Sequence, residues 1–236
     1  MTDLALIHGL NNSPVLWADL IAALPGDIVT HAPLTPALDT VEAIADALLA
    51  QLPPRFHLLG FSFGGYVAMA IVARAPERVQ SLFMLGTSPA QDAPEQAALR
   101  AKTLARAAAG GYATIIEKQT PFVFHPDNLE RADLLRLRAQ MRDEYGAERF
   151  IAHLNATTAR PDRRELFAQL PQAVSVAIGS HDRVISPAAQ AALAATNPHA
   201  AFTVIEGSGH MVPLEQPAAL AAAIERHLVL AAAFAP

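Results

Sequence analysis

The stretch from Phe56 to Arg74 constrains this chain more than any other. A short apolar run, Phe56-His57-Leu58-Leu59, reads as a buried strand. It leads into Gly60-Phe61-Ser62-Phe63-Gly64, and a helical run from Gly65 to Arg74 follows. A strand that becomes a helix over so few residues must turn sharply at the serine, which forces Ser62 into a strained backbone conformation. Gly60 and Gly64 then sit where a Cβ would collide with the neighbouring helix or strand. The turn leaves the Ser62 hydroxyl at a helix N-terminus, where backbone N–H groups can meet a developing negative charge. A glycine-rich strand-to-helix turn can also cradle a phosphate. That use calls for a Gly-Lys-Ser/Thr sequence, which does not follow here. Ser62 is therefore read as a nucleophile.

Strand and helix signals alternate over much of the chain, which predicts a parallel sheet with helices on both faces. Strands are expected at Leu4–His8, Ile28–His31, Phe56–Phe61, Val79–Leu85, Val174–Ile178 and Ala201–Ile205, all nearly continuous apolar runs of the kind buried on both faces. Helices are expected at Trp17–Leu24, Thr40–Leu52, Gly65–Arg74, Pro187–Thr196 and Pro217–Leu228. The alternation stops between 89 and 170, where only helical signals occur: Glu95–Ala109, Tyr112–Gln119, Asn128–Glu144, Ala147–Thr157 and Arg163–Gln169. The expected organisation is a core of 1–88 and 171–236 with a helical insertion of 89–170. Twelve of the chain's 17 Lys and Arg residues fall in that insertion, and acids offset them, so it reads chiefly as a solvated helical surface.

A chain of 236 residues, 52% of them hydrophobic, can build one large core. Its net charge of −5 argues against nucleic-acid binding, which needs a basic surplus. There is no cysteine, so disulfides, thiol catalysis and cysteine-based metal sites are excluded. Asp3 stands where a signal peptide would carry a basic residue, and no apolar run reaches the length of a membrane span. A cytoplasmic protein without a metal or organic cofactor is expected.

A serine hydroxyl needs a base within hydrogen-bond reach, and the base needs a third group to fix its tautomer. On an α/β sheet these belong on loops at the C-terminal ends of strands. Asp182, in Gly179-Ser180-His181-Asp182, is the expected orienting carboxylate, although an Asp there also suits a turn or helix cap. The loop after Val79–Leu85 carries no acid, and Asp92 lies further along. His210, preceded by Gly207-Ser208-Gly209, is the expected general base. His181 is expected to point away. The order Ser62, Asp182, His210 is that of nucleophile, acid and base in α/β-hydrolases. The two oxyanion donors are expected to be the backbone N–H groups of Phe63 and of Leu10, in the loop after the first strand. His8 is expected to brace that loop.

The chain resembles an α/β-hydrolase of the small, capped serine-esterase type. The resemblance rests on His8-Gly9, Gly60-Phe61-Ser62-Phe63-Gly64-Gly65, Ala75-Pro76-Glu77-Arg78-Val79, Gly179 with Asp182, and Gly209-His210 followed by Glu215-Gln216-Pro217, and it spans nearly the whole chain. It implies a mostly parallel sheet of about six strands, without the two strands that usually lead, and a helical cap over the site. It also implies that Ser62, Asp182 and His210 are catalytic, with Leu10 and Phe63 as oxyanion donors. The reaction implied is cleavage of small to medium carboxylic esters. The same family includes enol-lactonases, C–C bond hydrolases, cofactor-free haloperoxidases, hydroxynitrile lyases and slow-hydrolysing receptors, and fold alone does not choose among them. Pocket candidates are Asn11, Trp17, Phe61, Phe122, Phe124, Val184 and Met211, with the Phe63 ring expected to narrow the space. An acyl-carrier protein is a further candidate partner, with Arg138 and Arg142 as its expected contacts. Arg160-Pro161-Asp162 resembles a motif at the end of the cap and carries no assigned role.

Overall fold

The computed structural model describes residues 1–234. Six strands form one sheet: β1 (Thr2–Ile7), β2 (Ile28–His31), β3 (Phe56–Phe61), β4 (Val79–Leu85), β5 (Ala173–Gly179) and β6 (Ala200–Ile205). Their spatial order is β2-β1-β3-β4-β5-β6, and every pairing is parallel. Parallel neighbours need a crossover connection, supplied here largely by helices α1 (Ala18–Ala23), α2 (Val41–Leu49), α3 (Phe63–Arg74), and, between β4 and β5, α4 (Pro94–Arg106), α5 (Tyr112–Val123), α6 (Ala132–Ala159) and α7 (Arg164–Ala168). Helix α8 (Pro187–Ala194) joins β5 to β6, and α9 (Val212–Glu215) and α10 (Pro217–Ala233) close the chain's described part.

The period-2 geometry of strands sorts their side chains into two cores. Ala5 and Ile7 of β1, Phe56 and Leu58 of β3, Leu82 and Met84 of β4, and Val174 and Val176 of β5 pack beneath α2 and α3. Leu4, Leu6, Leu59, Phe61, Phe83, Leu85 and Ala177 point the other way, onto Leu20 of α1 and Leu220 and Ile224 of α10. The central strands are buried on both faces, as continuous apolar runs require. The edge strands β2 and β6 are not: each keeps several residues partly or fully exposed, because one side of an edge has no neighbouring strand.

The stretch between β4 and β5 is helical among the described residues, with bounds that differ from expectation at some helix ends. Asn128–Glu144 and Ala147–Thr157 read as two helices. They are two helical runs in the fold as well, described together as α6: Gly146, at φ 77° and ψ 160°, is not helical and separates them, and the first run begins at Ala132. Helix α5 continues through Pro121 to Val123. These helices enclose a third, smaller cluster of Ile115, Ile116, Tyr145, Phe150 and Leu154.

Candidate active site

Ser62 stands between β3 and α3 with φ 52° and ψ −119°, a region that non-glycine residues rarely occupy. Three hydrogen bonds hold it there. Its N–H donates to the Leu85 carbonyl (2.9 Å), and its own carbonyl accepts from the Gly65 N–H (2.9 Å) and the Thr87 hydroxyl (2.6 Å). The turn closes only because the neighbouring residues lack side chains. A Cβ on Gly60 would lie 2.7 Å from the Gly64 carbonyl oxygen, and one on Gly64 would enter the Ile7 carbonyl of β1. Strain of this kind persists when the surroundings over-determine it.

The three residues expected to cooperate are brought together across 148 residues of sequence. The Ser62 hydroxyl donates to His210 Nε2 at 3.0 Å. His210 Nδ1–H donates to Asp182 Oδ2 at 2.6 Å. Asp182 and His210 are each only 5% exposed, so this pair is shielded from water, whereas Ser62 is partly open. The other Asp182 oxygen accepts the N–H groups of Val184 (2.8 Å) and Ile185 (2.9 Å). Asp182 thus shapes its own turn and orients His210 with the same carboxylate, and the two readings of the residue are compatible. Asp92, the rival acid, is engaged elsewhere by Arg100 (2.6 Å) and Arg160 (2.7 Å).

His210 sits on a loop clamped from above. Its N–H and that of Met211 both donate to the Val123 carbonyl at the end of α5 (2.8 and 3.1 Å). The buried Glu215 carboxylate accepts from the N–H of Gly209 (2.8 Å), the N–H of His125 (2.6 Å) and the side chain of Asn128 (2.9 Å). One carboxylate therefore ties the His210 loop to the helical stretch. Glu215 entered the sequence reading only through the family motif, since nothing in its local pattern separates it from a surface Glu.

The loop after β1 is braced as expected. His8 Nδ1–H donates to the Gly9 carbonyl, and Nε2 accepts from the N–H and hydroxyl of Thr35. Burial lowers the His8 pKa to about 4, against the opposing Gly9 hydrogen bond, so it is neutral near pH 7. Asn11 follows with φ 58°, a left-handed conformation that Asn tolerates better than most residues. Phe63 is the first residue of α3, so its N–H lies outside the helix's internal hydrogen-bond ladder. Its ring stacks on His153 (centroids 4.6 Å apart) within the core beneath the sheet. It therefore does not narrow the pocket, contrary to expectation.

A cavity of about 370 Å³ opens beside Ser62 and His210. Leu10, Asn11, Phe122, Val184 and Met211 line it. Phe122 (56% exposed) and Val184 (52%) stand at its mouth. Trp17, Phe61 and Phe124 do not line it. Trp17 ends a 3₁₀ turn that aims it into the core with Leu4, Leu6 and Leu20. Phe61 packs behind the His210 ring (5.1 Å) and against Trp17 (6.3 Å). Phe124 is fully buried, beneath the Arg138 guanidinium (6.0 Å).

Other wall residues were not placed there from the sequence, among them Gln96, Leu99 and Arg100 of α4, Gln119 of α5, and Arg138, Phe150 and Leu154 of α6. Arg138 and Arg142 do not form the basic face expected of them. Arg138 is 5% exposed and belongs to the cavity wall, and Arg142 pairs with Asp143 (2.8 Å) and Glu117 (3.7 Å). A signal for Arg138 existed. Leu134, Arg138, Met141 and Tyr145 recur at helical spacing on the buried stripe of α6. Arg183 does not pair with Asp182 either; it donates to the Pro121 carbonyl and lies over the Phe122 ring. His181 points away, edge-on to His125 at 4.2 Å.

The family model described as "Alpha/beta hydrolase family" matches residues 4–223. Among curated proteins, the pimeloyl-[acyl-carrier protein] methyl ester esterase of Aromatoleum aromaticum is 39% identical over 37% of this chain and 38% of that protein. The biotin biosynthesis bifunctional protein BioHC of Cellvibrio japonicus is 29% identical over 94% of this chain and 46% of its own length. In both cases the match spans less than half of the relative. Among solved structures, a thermophilic esterase from Thermogutta terrifontis superposes with a TM-score of 0.89 at 26% identity, covering 98% of this chain and 90% of that one. The enol-lactonase from Burkholderia xenovorans superposes at 0.84 with 22% identity, over 97% and 91% of the two chains.

Proposed function

This chain belongs to the alpha/beta hydrolase family, and from that premise we propose that it hydrolyses carboxylic esters of small to medium acyl chains through an acyl-enzyme on Ser62. The observation that carries the reading is the continuous relay from the Ser62 hydroxyl through His210 to the buried Asp182, at 3.0 and 2.6 Å. His210 Nε2 takes the hydroxyl proton as Ser62 Oγ attacks the ester carbonyl. Asp182 holds the Nδ1–H tautomer and stabilises the imidazolium that forms. The N–H groups of Phe63 and Leu10 receive the oxyanion, a contribution of about 10²–10³ in rate for each such donor. Collapse breaks the ester C–O bond, and His210 gives its proton to the departing alcohol. Water then attacks the acyl-enzyme, His210 takes its proton, and the acid leaves as Ser62 regains its hydrogen.

We assign residues 89–170 as a cap. Its segment Val123–His125 is bonded to the His210 loop and Glu215, and its helices supply much of the cavity wall. A cavity of about 370 Å³ lies at the small end of ligand sites, which run from about 300 to 1,000 Å³. The name of the Aromatoleum aromaticum relative favours a second reading, a methyl ester carried on an acyl-carrier protein. Arg138 and Arg142 do not form the exposed pair that this reading expected, and the apolar mouth at Leu99, Phe122 and Val184 is where a carrier's arm would enter.

The test is hydrolysis of p-nitrophenyl esters from acetate to decanoate by the wild type and Ser62→Ala. Turnover by the wild type alone, falling off at the longer chains, supports the proposal. Equal rates for the two proteins, or none from a folded wild type on any ester, would overturn it. A carrier-linked methyl ester cleaved far faster than the free one would move the assignment to the second reading.

A further inference from the structure

Among the described residues, Arg100 and Arg138 are the cations that line the cavity, and no Asp or Glu does. The two differ in how they are satisfied. Arg100 is neutralised by Asp92 through two hydrogen bonds (2.6 and 3.2 Å). Arg138 has no carboxylate partner among the described residues, although it is the more buried of the two. Its Nε–H donates to the Thr120 hydroxyl at 3.0 Å. That hydroxyl spends its own hydrogen on the Ile116 carbonyl (2.9 Å), which turns its lone pairs towards the guanidinium. The fork is therefore fixed at Nε, while Nη1 and Nη2 make no hydrogen bond among the described residues. Phe124 beneath the plane, at 6.0 Å, is the only other compensation among the described residues. Tyr112, nearby, has its hydroxyl pushed well above the usual phenol range by burial and supplies no negative charge.

A desolvated guanidinium without an anion is costly, and in a cavity wall that cost is relieved when a ligand brings the anion. A planar fork with two free donor groups matches a carboxylate. We propose that Arg138 anchors a carboxylate carried by the acyl part of the substrate, so that the cavity selects hemiesters of short dicarboxylic acids over neutral esters of the same length. The proposal rests on the hydrolase reading given above for the chemistry at Ser62. It goes beyond that reading in naming the far end of the substrate.

The test compares two matched pairs: monomethyl glutarate against methyl pentanoate, and monomethyl adipate against methyl hexanoate. Acid release is followed at constant pH and ionic strength. The wild type is expected to favour the hemiester of each pair by about tenfold or more in kcat/KM, and Arg138→Gln to lose that ratio. Glutarate alone is expected to raise the Tm of Ser62→Ala and to leave Ser62→Ala/Arg138→Gln unmoved. Neutral esters preferred by the wild type, with no glutarate effect on Tm, would overturn the proposal whether or not the Arg138 variant folds. Stabilisation by glutarate with no turnover of any ester would instead remove the hydrolase reading and leave the carboxylate site standing.

Discussion

Asp182 Oδ2 lies 2.6 Å from His210 Nδ1, while Asp182 Oδ1 accepts the N–H groups of Val184 and Ile185. The two oxygens have separate duties, which makes the residue separable by substitution. In Asp182→Asn the amide oxygen can still serve the turn, but the NH₂ group faces Nδ1 and favours the wrong tautomer. The variant is expected to keep its Tm within a few degrees and to lose about 10⁴ in kcat, as expected when a triad base is held in the wrong tautomer. Steady-state kinetics beside a melting curve check this. A variant that unfolds, or one that keeps full kcat, contradicts the division of labour.

Glu215 accepts three hydrogen bonds in a buried position. In Glu215→Gln one carboxylate oxygen becomes a donor facing another donor, which costs about 1–3 kcal/mol by the penalty for an unsatisfied buried group. Because the same contacts fix the His210 loop, kcat is expected to fall together with stability. Urea unfolding and kcat/KM measured on one preparation test the coupling, and a normal rate in a destabilised protein would separate the two.

Arg160 links the helical stretch to the core. It donates to the Ala90 and Thr157 carbonyls, pairs with Asp92 and stacks over Tyr66 at 4.1 Å. This gives a structural role to the first residue of the Arg160-Pro161-Asp162 motif. Arg160→Met is expected to cost about 3 kcal/mol, at the low end for a broken buried ion pair because Arg100 still serves Asp92. Urea midpoints measure it, and a loss near zero would make Arg160 a surface residue in energetic terms.

Acid is expected to destabilise the fold through three buried histidines. Burial lowers the pKa of His8 and His153 to about 4 and that of His227 to about 3. Each is neutral when folded and titrates near 6.5 when unfolded, so between these values the unfolded chain binds more protons. Stability then falls as pH drops from about 6.5 towards 4, by up to about 1.4 kcal/mol per pH unit for each histidine. Asp92 acts in the same direction at lower pH. Burial raises its pKa, but the hydrogen bonds from Arg100 and Arg160 outweigh that and hold it below the usual carboxylate range. Urea unfolding at pH 4.5, 5.5 and 6.5 tests the slope, and His227→Gln should shallow it by about one proton.

Much of this architecture is written locally. The central strands announce themselves because burial on both faces demands an unbroken apolar run. The Ser62 turn is legible in part because Gly60 answers to nearby Gly64, Gly65 and Ala68, although Gly64 answers to the distant Ile7 and His8 carbonyls. His210 and Asp182 are legible as strand-end loops. The parts that were misread depend on long-range packing. Trp17 and Phe61 are aromatic residues near the site in sequence, yet the 3₁₀ turn and the last residue of β3 direct them into the core. Arg138 was read by charge when its place on the stripe of Leu134, Met141 and Tyr145 mattered more. Glu215 gains its role only from Gly209, His125 and Asn128, the last two of them 87 residues or more away in the chain.

The central claim is that His210 and Asp182 make Ser62 a nucleophile, and covalent labelling tests it without knowledge of the substrate. Diethyl p-nitrophenyl phosphate should add one diethylphosphoryl group per chain, mapped to Ser62, with release of one p-nitrophenol and loss of esterase activity in step. Ser62→Ala should take up none, and His210→Ala should react far more slowly. A folded wild type that stays unlabelled, or an adduct that forms equally in Ser62→Ala, would contradict the account.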